Sequence, residues 1–218
     1  ERCFTSAEEL LAQPKLADAI FICTQAQDHV REALMALEKG YHILMEKPIS
    51  PSAEDCNKLL EASRKYDRKI VVCHVLRYTP FFSKIKEIIS EGTIGDVVTI
   101  QAIENVGYWH QAHSFVRGNW RNSNPTSPMC LQKTCHDFDL YLWLADKTPK
   151  HVSSMGDTYF FKEACAPEGA ALRCMDGCKA KENCPFDAEK IYITNKRTGI
   201  AQGNTEWPVD VLAIHPTG

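Results

Sequence analysis

Strand and helix patterns alternate along the first third of the chain. Three short apolar runs have the length and composition of buried strands, namely residues 18–23, 41–45 and 69–75. Apolar residues at helical spacing precede or separate these runs, in segments that open at capping residues, namely Ser6, Asp28 and Ser52. Helices and strands that alternate over short connections are typical of a parallel sheet covered by helices. The pattern therefore predicts an α/β fold for this part of the chain.

The pattern changes after residue 75. A Thr-Pro pair at Thr79 begins a predicted helix that ends at Gly92, and a second helix is predicted over residues 129–145. Three further segments have strand-like composition or partial alternation, namely residues 96–106, 151–161 and 190–195. We expect this half to be an α+β domain with a mainly antiparallel open sheet.

Composition and charge narrow the class of protein. The 218 residues are 44% hydrophobic, which is enough for a substantial core, and the net charge is −3. Nucleic acid is not an expected partner, because proteins that bind it normally carry a basic face. No apolar run approaches the roughly 20 residues that span a bilayer, so no membrane association is expected. The chain begins at Glu1 without a Met or a signal peptide, and we expect it to be a piece of a longer chain.

Ten cysteines are many for this length. Cys23, Cys56 and Cys73 lie in apolar runs or on predicted apolar faces, the usual place of a reduced cysteine, which favours a cytoplasmic location over a disulfide-linked secreted protein. Four others share one loop-like segment, namely Cys165, Cys174, Cys178 and Cys184. Their spacing leaves three states open, which are reduced thiols, a structural zinc site and a disulfide. No spacing indicates a catalytic metal.

A resemblance to a known family rests on three segments. The segment GYHILMEKPISP places Glu46 and Lys47 directly after the second apolar run and before a proline. A T-x-x-x-x-H segment ends at His29, and the later segment KTCHDFDLYLWL carries His136. Together these segments resemble the Gfo/Idh/MocA oxidoreductases, and the resemblance extends over roughly residues 1–160.

The resemblance implies a two-domain fold. Residues 1–75 would be the second half of a dinucleotide-binding Rossmann domain, and residues 76–218 a substrate and oligomerisation domain of α+β type, shortened at its C-terminus. The family's glycine-rich phosphate loop, G-x-G-x-x-G, does not occur in the sequence and is expected upstream of Glu1. The family's T-P-x-x-x-H segment also lacks its proline here, over residues 24–29.

The resemblance also implies an activity. The family transfers a hydride between NAD or NADP and the hydroxyl-bearing carbon of a sugar, polyol or cyclitol, often as a homo-oligomer. Two other functions stay open at this point. One is a glycosidase that uses NAD for transient oxidation of its substrate, and the other is a non-catalytic binding or assembly module.

Candidate catalytic residues follow from the position of the charged turn. Ligands of open parallel sheets bind beyond the carboxyl ends of the strands. We expect the Lys47 ammonium to hydrogen-bond the substrate oxygen and His136 to accept its proton. Many family members carry an aspartate four residues before this histidine, where Gln132 stands here, so Lys133 is a candidate for the polar contact instead. The cofactor-binding candidates are Thr24, His29, Glu46, Lys47, Pro48 and Arg77.

The loop GYWHQAHSFVRGNWRN supplies candidates for substrate binding. Its aromatic rings can stack on sugar faces, and its polar side chains can donate directional hydrogen bonds. The alternative is a surface loop with tucked aromatic rings. With Lys133, the substrate candidates are Tyr108, His110, Arg117 and Trp120.

Overall fold

The computed structural model describes residues 2–196, 199, 200 and 203. A parallel sheet is formed by three strands, β1 (Ala19–Ile22), β2 (His42–Met45) and β3 (Ile70–Val72), which neighbour one another in that order. The register pairs Ile22 with Met45, and Met45 with Val72. The three strands therefore end level at one edge, and the predicted parallel α/β sheet is confirmed.

Three helices accompany these strands, namely α1 (Ala7–Ala12), α2 (His29–Glu38) and α3 (Ala53–Lys65). The hydroxyls of Ser6 and Ser52 cap α1 and α3, because they accept from the backbone N–H groups of Glu9 and Asp55. The side chain of Asp28 makes no such bond to α2. Its backbone is already helical, whereas a capping residue needs an extended backbone to direct its side chain at the first turn.

The core lies between the sheet and the helices α2 and α3. Leu37 and Met45 are completely buried, and they pack in one cluster with Ile43, Leu59 and Ala33. Burial of each large apolar side chain contributes about 1.5–3 kcal/mol. This packing holds β2 in place, and therefore also the charged turn that follows it.

Four more helices follow along the chain, namely α4 (Pro80–Ser90), α5 (Tyr108–Gln111), α6 (Met129–Gln132) and α7 (Cys135–Ala145). The Thr79 hydroxyl caps α4 as predicted, by accepting from the N–H of Phe82. Lys86 of α4 donates to the carbonyl oxygen of Trp143 of α7 at 2.6 Å. Among the helices described, none is both long enough and apolar enough to cross a membrane.

The chain divides into two compact units. The first contains the residues up to Glu104 together with Asn122–His151, and the second contains Asn105–Arg121 together with the residues from Val152 onward. The first unit thus holds the sheet, α4, α6 and α7, and the second holds α5. The domain boundary that we predict near residue 75 falls inside the first unit and stays a prediction.

The strands predicted for the second half are not formed in the part of the chain that the structure describes. Residues 96–106 and 151–161 have no regular strand structure, and residues 190–195 lie largely in a π-helical turn, Glu189–Thr194. Strands need a neighbouring backbone and one covered face. Val98 and Ile103 are 92% and 75% exposed, so the alternating apolar positions cover no core. The expected antiparallel open sheet is therefore not present within residues 2–196.

Candidate active site

The carboxyl edge of the sheet carries polar residues on each strand. The ladder continues one residue past the strands, since the Glu46 N–H donates to the Ile22 carbonyl at 2.9 Å and the Cys73 N–H to the Met45 carbonyl at 2.8 Å. Thr24 follows β1, Glu46 and Lys47 follow β2, and His74 follows β3. This edge is where ligands of parallel sheets bind.

Lys47 reaches from this edge to α6. Its Nζ donates to the backbone carbonyl oxygen of Gln132 at 3.4 Å, and its backbone N–H donates to Oε2 of Glu46 at 3.2 Å. The peptide bond to Pro48 is cis, and Pro48 is buried. Among the described residues, this carbonyl oxygen is the one hydrogen-bond partner of the half-buried Lys47 ammonium. Two of its three N–H donors are therefore available to another acceptor.

His136 lies in the first turn of α7, close to Lys47. Its Nδ1 is buried and has no hydrogen-bond partner among the residues described. Burial, and next the positive charge of Lys47, hold the pKa of His136 below its ordinary value. The imidazole is therefore neutral near pH 7 and able to accept a proton.

Lys133 belongs to the same group of side chains. Burial lowers its pKa, and the charge of Lys47 lowers it further, while Glu104 acts in the opposite direction. The structure thus brings three of the predicted residues together, Lys47, Lys133 and His136. All three are nitrogen bases, so each positive charge disfavours protonation of the next.

The side chain of Gln132 is engaged elsewhere. Its Nε2 donates to the hydroxyl of Ser127 at 2.5 Å, and both side chains are buried. Gln132 takes part in the site through its backbone carbonyl, which accepts from Lys47. No carboxylate stands at this position, and the role of His136 as the proton acceptor stays a prediction.

Asp139 joins the end of the sheet to α7. Its two carboxylate oxygens accept from Arg77 at 2.6 and 2.5 Å, and Oδ1 lies 3.1 Å from Nδ1 of His74. This pairing raises the pKa of Arg77. The His74 ring packs edge-on against the His136 ring, with centroids 6.0 Å apart. His74 is not among the residues predicted from the sequence, and neither is the pairing of Arg77 with Asp139, although these two residues carry opposite charges. The role of Arg77 in cofactor binding stays a prediction.

Two cofactor candidates are held by α2. The Thr24 hydroxyl donates to Oε2 of Glu32 at 2.7 Å. His29 is 1% exposed, and its ring nitrogens each lie 3.0 Å from a carbonyl oxygen, Nδ1 from that of Pro48 and Nε2 from that of Thr24. His29 therefore bridges two segments at the carboxyl edge of the sheet.

An apolar cavity of about 400 Å³ lies in the first unit, beside the turn after β2 and the start of α7. Its lining includes Pro48 and Ile49 from the turn, and His74, Cys135 and Asp139. Volumes in this range accommodate small molecules. Burial raises the pKa of the Cys135 thiol, so this cysteine lines the cavity as a neutral group.

Four of the predicted substrate residues lie in the second unit, within a cluster of aromatic rings. Tyr108 packs edge-on against Phe186 with ring centroids 5.6 Å apart. Each of the other three predicted residues also contacts an aromatic ring of the same unit. These contacts are His110 with Phe115, Trp120 with Phe115, and the Arg117 guanidinium with the Tyr192 ring. Their part in substrate binding stays a prediction.

The four cysteines of the second unit are free thiols. No disulfide links Cys165, Cys174, Cys178 and Cys184. Across the described residues, no group of three or more His, Cys, Asp or Glu side chains is arranged to hold a metal ion.

Two family descriptions match the chain. Residues 1–74 match the oxidoreductase family GFO/IDH/MocA, described as having an NAD-binding Rossmann fold. Residues 82–189 match the GFO/IDH/MocA C-terminal domain. The resemblance predicted from the sequence is confirmed, and the expected cofactor class agrees with the first description.

Curated relatives are also similar to this chain. The Bacillus subtilis protein YteT, which is named as an oxidoreductase, is 29% identical over 173 residues, 78% of this chain and 40% of the relative. The inositol 2-dehydrogenase of Gluconacetobacter diazotrophicus is 28% identical over 143 residues, 65% of this chain and 39% of the relative. The chain thus spans about 40% of the length of the relatives it matches.

A solved structure supports the fold. The scyllo-inositol dehydrogenase of Lactobacillus casei, crystallised with bound NAD(H) and scyllo-inositol, superimposes with a TM-score of 0.54 at 21% identity. The match covers 66% of this chain and 41% of that structure. With both halves of its sequence matched and its sheet shared, the chain belongs to the Gfo/Idh/MocA family of oxidoreductases.

Proposed function

We propose that the protein is an NAD(P)-dependent oxidoreductase that transfers a hydride between the nicotinamide cofactor and the hydroxyl-bearing carbon of a cyclitol, polyol or sugar. The observation that carries the proposal is the convergence of Lys47 and His136 at the carboxyl edge of the sheet. A donor for an oxygen and a neutral proton acceptor are the two groups that this reaction requires of the protein.

The residues at this edge fit a dinucleotide. The unpaired, buried Nδ1 of His136 is a polar atom of the kind that a bound molecule satisfies. Thr24, Glu46 and Pro48 follow strands at the edge where Rossmann-type sheets hold their cofactor. When bound there, the nicotinamide accepts a hydride in the oxidising direction and returns it in the reducing direction.

Lys47 stabilises charge on the substrate oxygen. Within the described part of the chain its Nζ has a single acceptor, at 3.4 Å, which leaves N–H groups to donate to the hydroxyl oxygen of the substrate. Loss of the hydroxyl proton places negative charge on the oxygen, and this charge forms the carbonyl double bond as the hydride leaves the carbon. A fixed ammonium beside that oxygen lowers the barrier in both directions.

His136 moves the proton. In the oxidising direction, an imidazole nitrogen of His136 accepts the hydroxyl proton while the hydride leaves the same carbinol group, so two electrons and both hydrogens are accounted for. Burial and the Lys47 charge lower the pKa of His136, which keeps the acceptor form populated near pH 7. In the reducing direction the imidazolium returns the proton.

The substrate class rests on the relatives. Those that carry an activity in their name act on cyclitols or sugars, such as inositol 2-dehydrogenase and 1,5-anhydro-D-fructose reductase. We assign substrate contacts to Lys133 and to the aromatic loop with Tyr108, His110, Arg117 and Trp120. A cytoplasmic homo-oligomer is part of the proposal. The ten free cysteines support a reducing compartment.

The test is a substrate panel. The protein is incubated with NAD+ or NADP+ and with inositol isomers, alditols and aldoses, and the reduced cofactor is followed by absorbance. We expect reduction with a cyclitol or sugar and a preference for one cofactor. Failure of every combination, with no binding of NAD(H) or NADP(H) by fluorescence titration, would overturn the proposal. Sugar cleavage without net cofactor reduction would instead support the redox-assisted glycosidase.

A further inference from the structure

His29 joins two segments that end at the candidate site. It is the first residue of α2 and is 1% exposed. Its Nδ1 lies 3.0 Å from the carbonyl oxygen of Pro48, which follows β2, and its Nε2 lies 3.0 Å from the carbonyl oxygen of Thr24, which follows β1. A single ring thus spans the gap between the two strand ends.

The shape of imidazole suits this bridge. Its two nitrogens are separated by one ring carbon and point in diverging directions, so they can face two carbonyl groups at once. A protonated ring donates to both carbonyl groups, and a neutral ring donates to one of them. Other polar side chains of this size lack two nitrogens in a fixed planar ring.

The first turn of α2 supports the bridge at a second point. Glu32, one turn after His29, is almost completely buried and accepts from the Thr24 hydroxyl at 2.7 Å. Arg31 lies 3.5 Å from Glu32 and 3.6 Å from Asp28, so the carboxylate has a cationic neighbour. Thr24 is therefore fixed through its carbonyl and through its hydroxyl. The first turn of α2 thus holds the end of β1, and the segment after β2 is held against α2 through the His29 ring.

Pro48 connects α2 to Lys47. The carbonyl that His29 faces belongs to the residue directly after Lys47, and Pro48 is buried. Lys47 reaches the opposite way, to the carbonyl oxygen of Gln132 on α6. The turn is thus held at Pro48 from α2 while its ammonium extends toward His136. Catalytic groups must be held within about 0.5 Å of their productive position.

We propose that His29 is a positioning residue, which holds the Lys47–Pro48 turn against the end of β1 and so places the Lys47 ammonium. Its side chain acts through Pro48 and touches neither cofactor nor substrate. The inference rests on the proposed function for its catalytic consequence, whereas the bridge itself is a property of the fold.

The test uses His29→Leu, which has similar volume and no ring nitrogen, and His29→Asn, which keeps an amide N–H for one carbonyl group. Tyr41→Phe is the control, because Tyr41 is buried directly before β2, at the end of that strand opposite to the turn, and its hydroxyl accepts from the Leu16 N–H. Hydrogen exchange of residues 45–52 is measured in each full-length protein, together with kcat and KM for cofactor and substrate.

We expect exchange at the amides of Glu46 and Lys47 to become faster by about fivefold or more in His29→Leu, as loss of one or two hydrogen bonds allows. We expect kcat to fall by about tenfold or more, since small displacements of catalytic groups are costly. His29→Asn should lie between His29→Leu and the unmodified protein in both measurements. Tyr41→Phe should lower thermal stability, leave kcat unchanged, and leave exchange at Glu46 and Lys47 unchanged relative to the rest of the chain.

Two outcomes would overturn the inference. One is unchanged exchange over residues 45–52 in both His29 variants. The other is a raised KM for the cofactor with unchanged kcat and exchange, which would mean that His29 contacts the cofactor. If the unmodified protein turns over no substrate, the proposed function fails, and the exchange measurement still decides whether His29 holds the turn.

Discussion

The Nζ of Lys47 lies 3.4 Å from the backbone carbonyl oxygen of Gln132, although 85 residues separate the two in sequence. This contact brings the turn after β2 to the end of α6, where Lys133 follows Gln132 directly and His136 lies in the first turn of α7. Three nitrogen bases then share a partly buried space, and the charge of Lys47 lowers the pKa of each of the other two. Burial is the first cause of the lowered pKa of His136 and the charge of Lys47 the second, so the position of Lys47 favours the neutral imidazole.

Removal of the Lys47 ammonium is expected to abolish most turnover. Lys47→Ala should lower kcat by about 10²–10³-fold, the usual effect of losing one donor to a developing oxyanion. Circular dichroism should show an intact fold, because with the described residues the side chain makes only one hydrogen bond, to a carbonyl group. Lys58→Ala is the matched control, since Lys58 is exposed and pairs only with Glu54 and Asp55 on its own helix. Equal kcat values for the two variants would exclude the role of Lys47.

The pH dependence of oxidation should report His136. A base must be deprotonated to act, so kcat/KM should rise with pH through the pKa of His136 and then level off. Because burial and the Lys47 charge lower that pKa, the midpoint should lie below the ordinary value of 6.5. His136→Asn should lose this limb together with most of its turnover. A midpoint above 6.5 in the unmodified protein would contradict the assignment.

The same pKa can be measured without turnover. An NMR titration of the His136 ring should give a midpoint below 6.5 in the unmodified protein and a higher one in Lys47→Ala, because a nearby positive charge has been removed. Lys58→Ala should leave the midpoint in place. An unchanged midpoint in Lys47→Ala would show that the charge of Lys47 does not act on the His136 ring.

Asp139 should matter for stability. Its carboxylate is 10% exposed and accepts two hydrogen bonds from Arg77, beside His74. Asp139→Asn removes the charge and the paired geometry, and should lower the free energy of unfolding by about 1.5–3 kcal/mol, the range for hydrogen bonds to charged groups. Urea denaturation measures this change. Glu87→Gln, which breaks an exposed pair with Lys84 on α4, should cost about 0–1 kcal/mol. The prediction fails if both variants cost the same.

The sheet and its charged edge were predictable because their signals are local. Apolar runs at residues 18–23, 41–45 and 69–75 became β1, β2 and β3, with each boundary at the predicted residue or one to three residues inside it. The turn at Glu46 and Lys47 follows β2 directly, so its place at the carboxyl edge follows from the strand. In β2, the strand that carries this turn, Ile43 and Met45 are both buried, as an apolar run of this length predicts.

What connects that edge to α7 was not predictable from spacing. The pairing of Arg77 with Asp139 and the reach of Lys47 to Gln132 span 62 and 85 residues, and no periodic pattern encodes such contacts. The alternation over residues 96–106 was misleading for a related reason. Alternation predicts a strand only where another strand completes its hydrogen bonds, and among the described residues none pairs with this segment.

Gly40 should be required for the link between α2 and β2. Its φ of +81° lies in the left-handed region, where residues other than glycine are strained, and the chain reverses there to enter the strand that carries Lys47 at its end. A Cβ at this position would meet the Arg68 side chain only at an ordinary distance of 3.5 Å, so the cost arises from the backbone. Gly40→Ala should therefore lower the free energy of unfolding by about 1–2 kcal/mol in urea denaturation. Glu38→Ala, at an exposed position in the last turn of α2, should change it by less than about 0.5 kcal/mol. If Gly40→Ala were as mild as Glu38→Ala, the positive φ would not be required for β2 to start where it does.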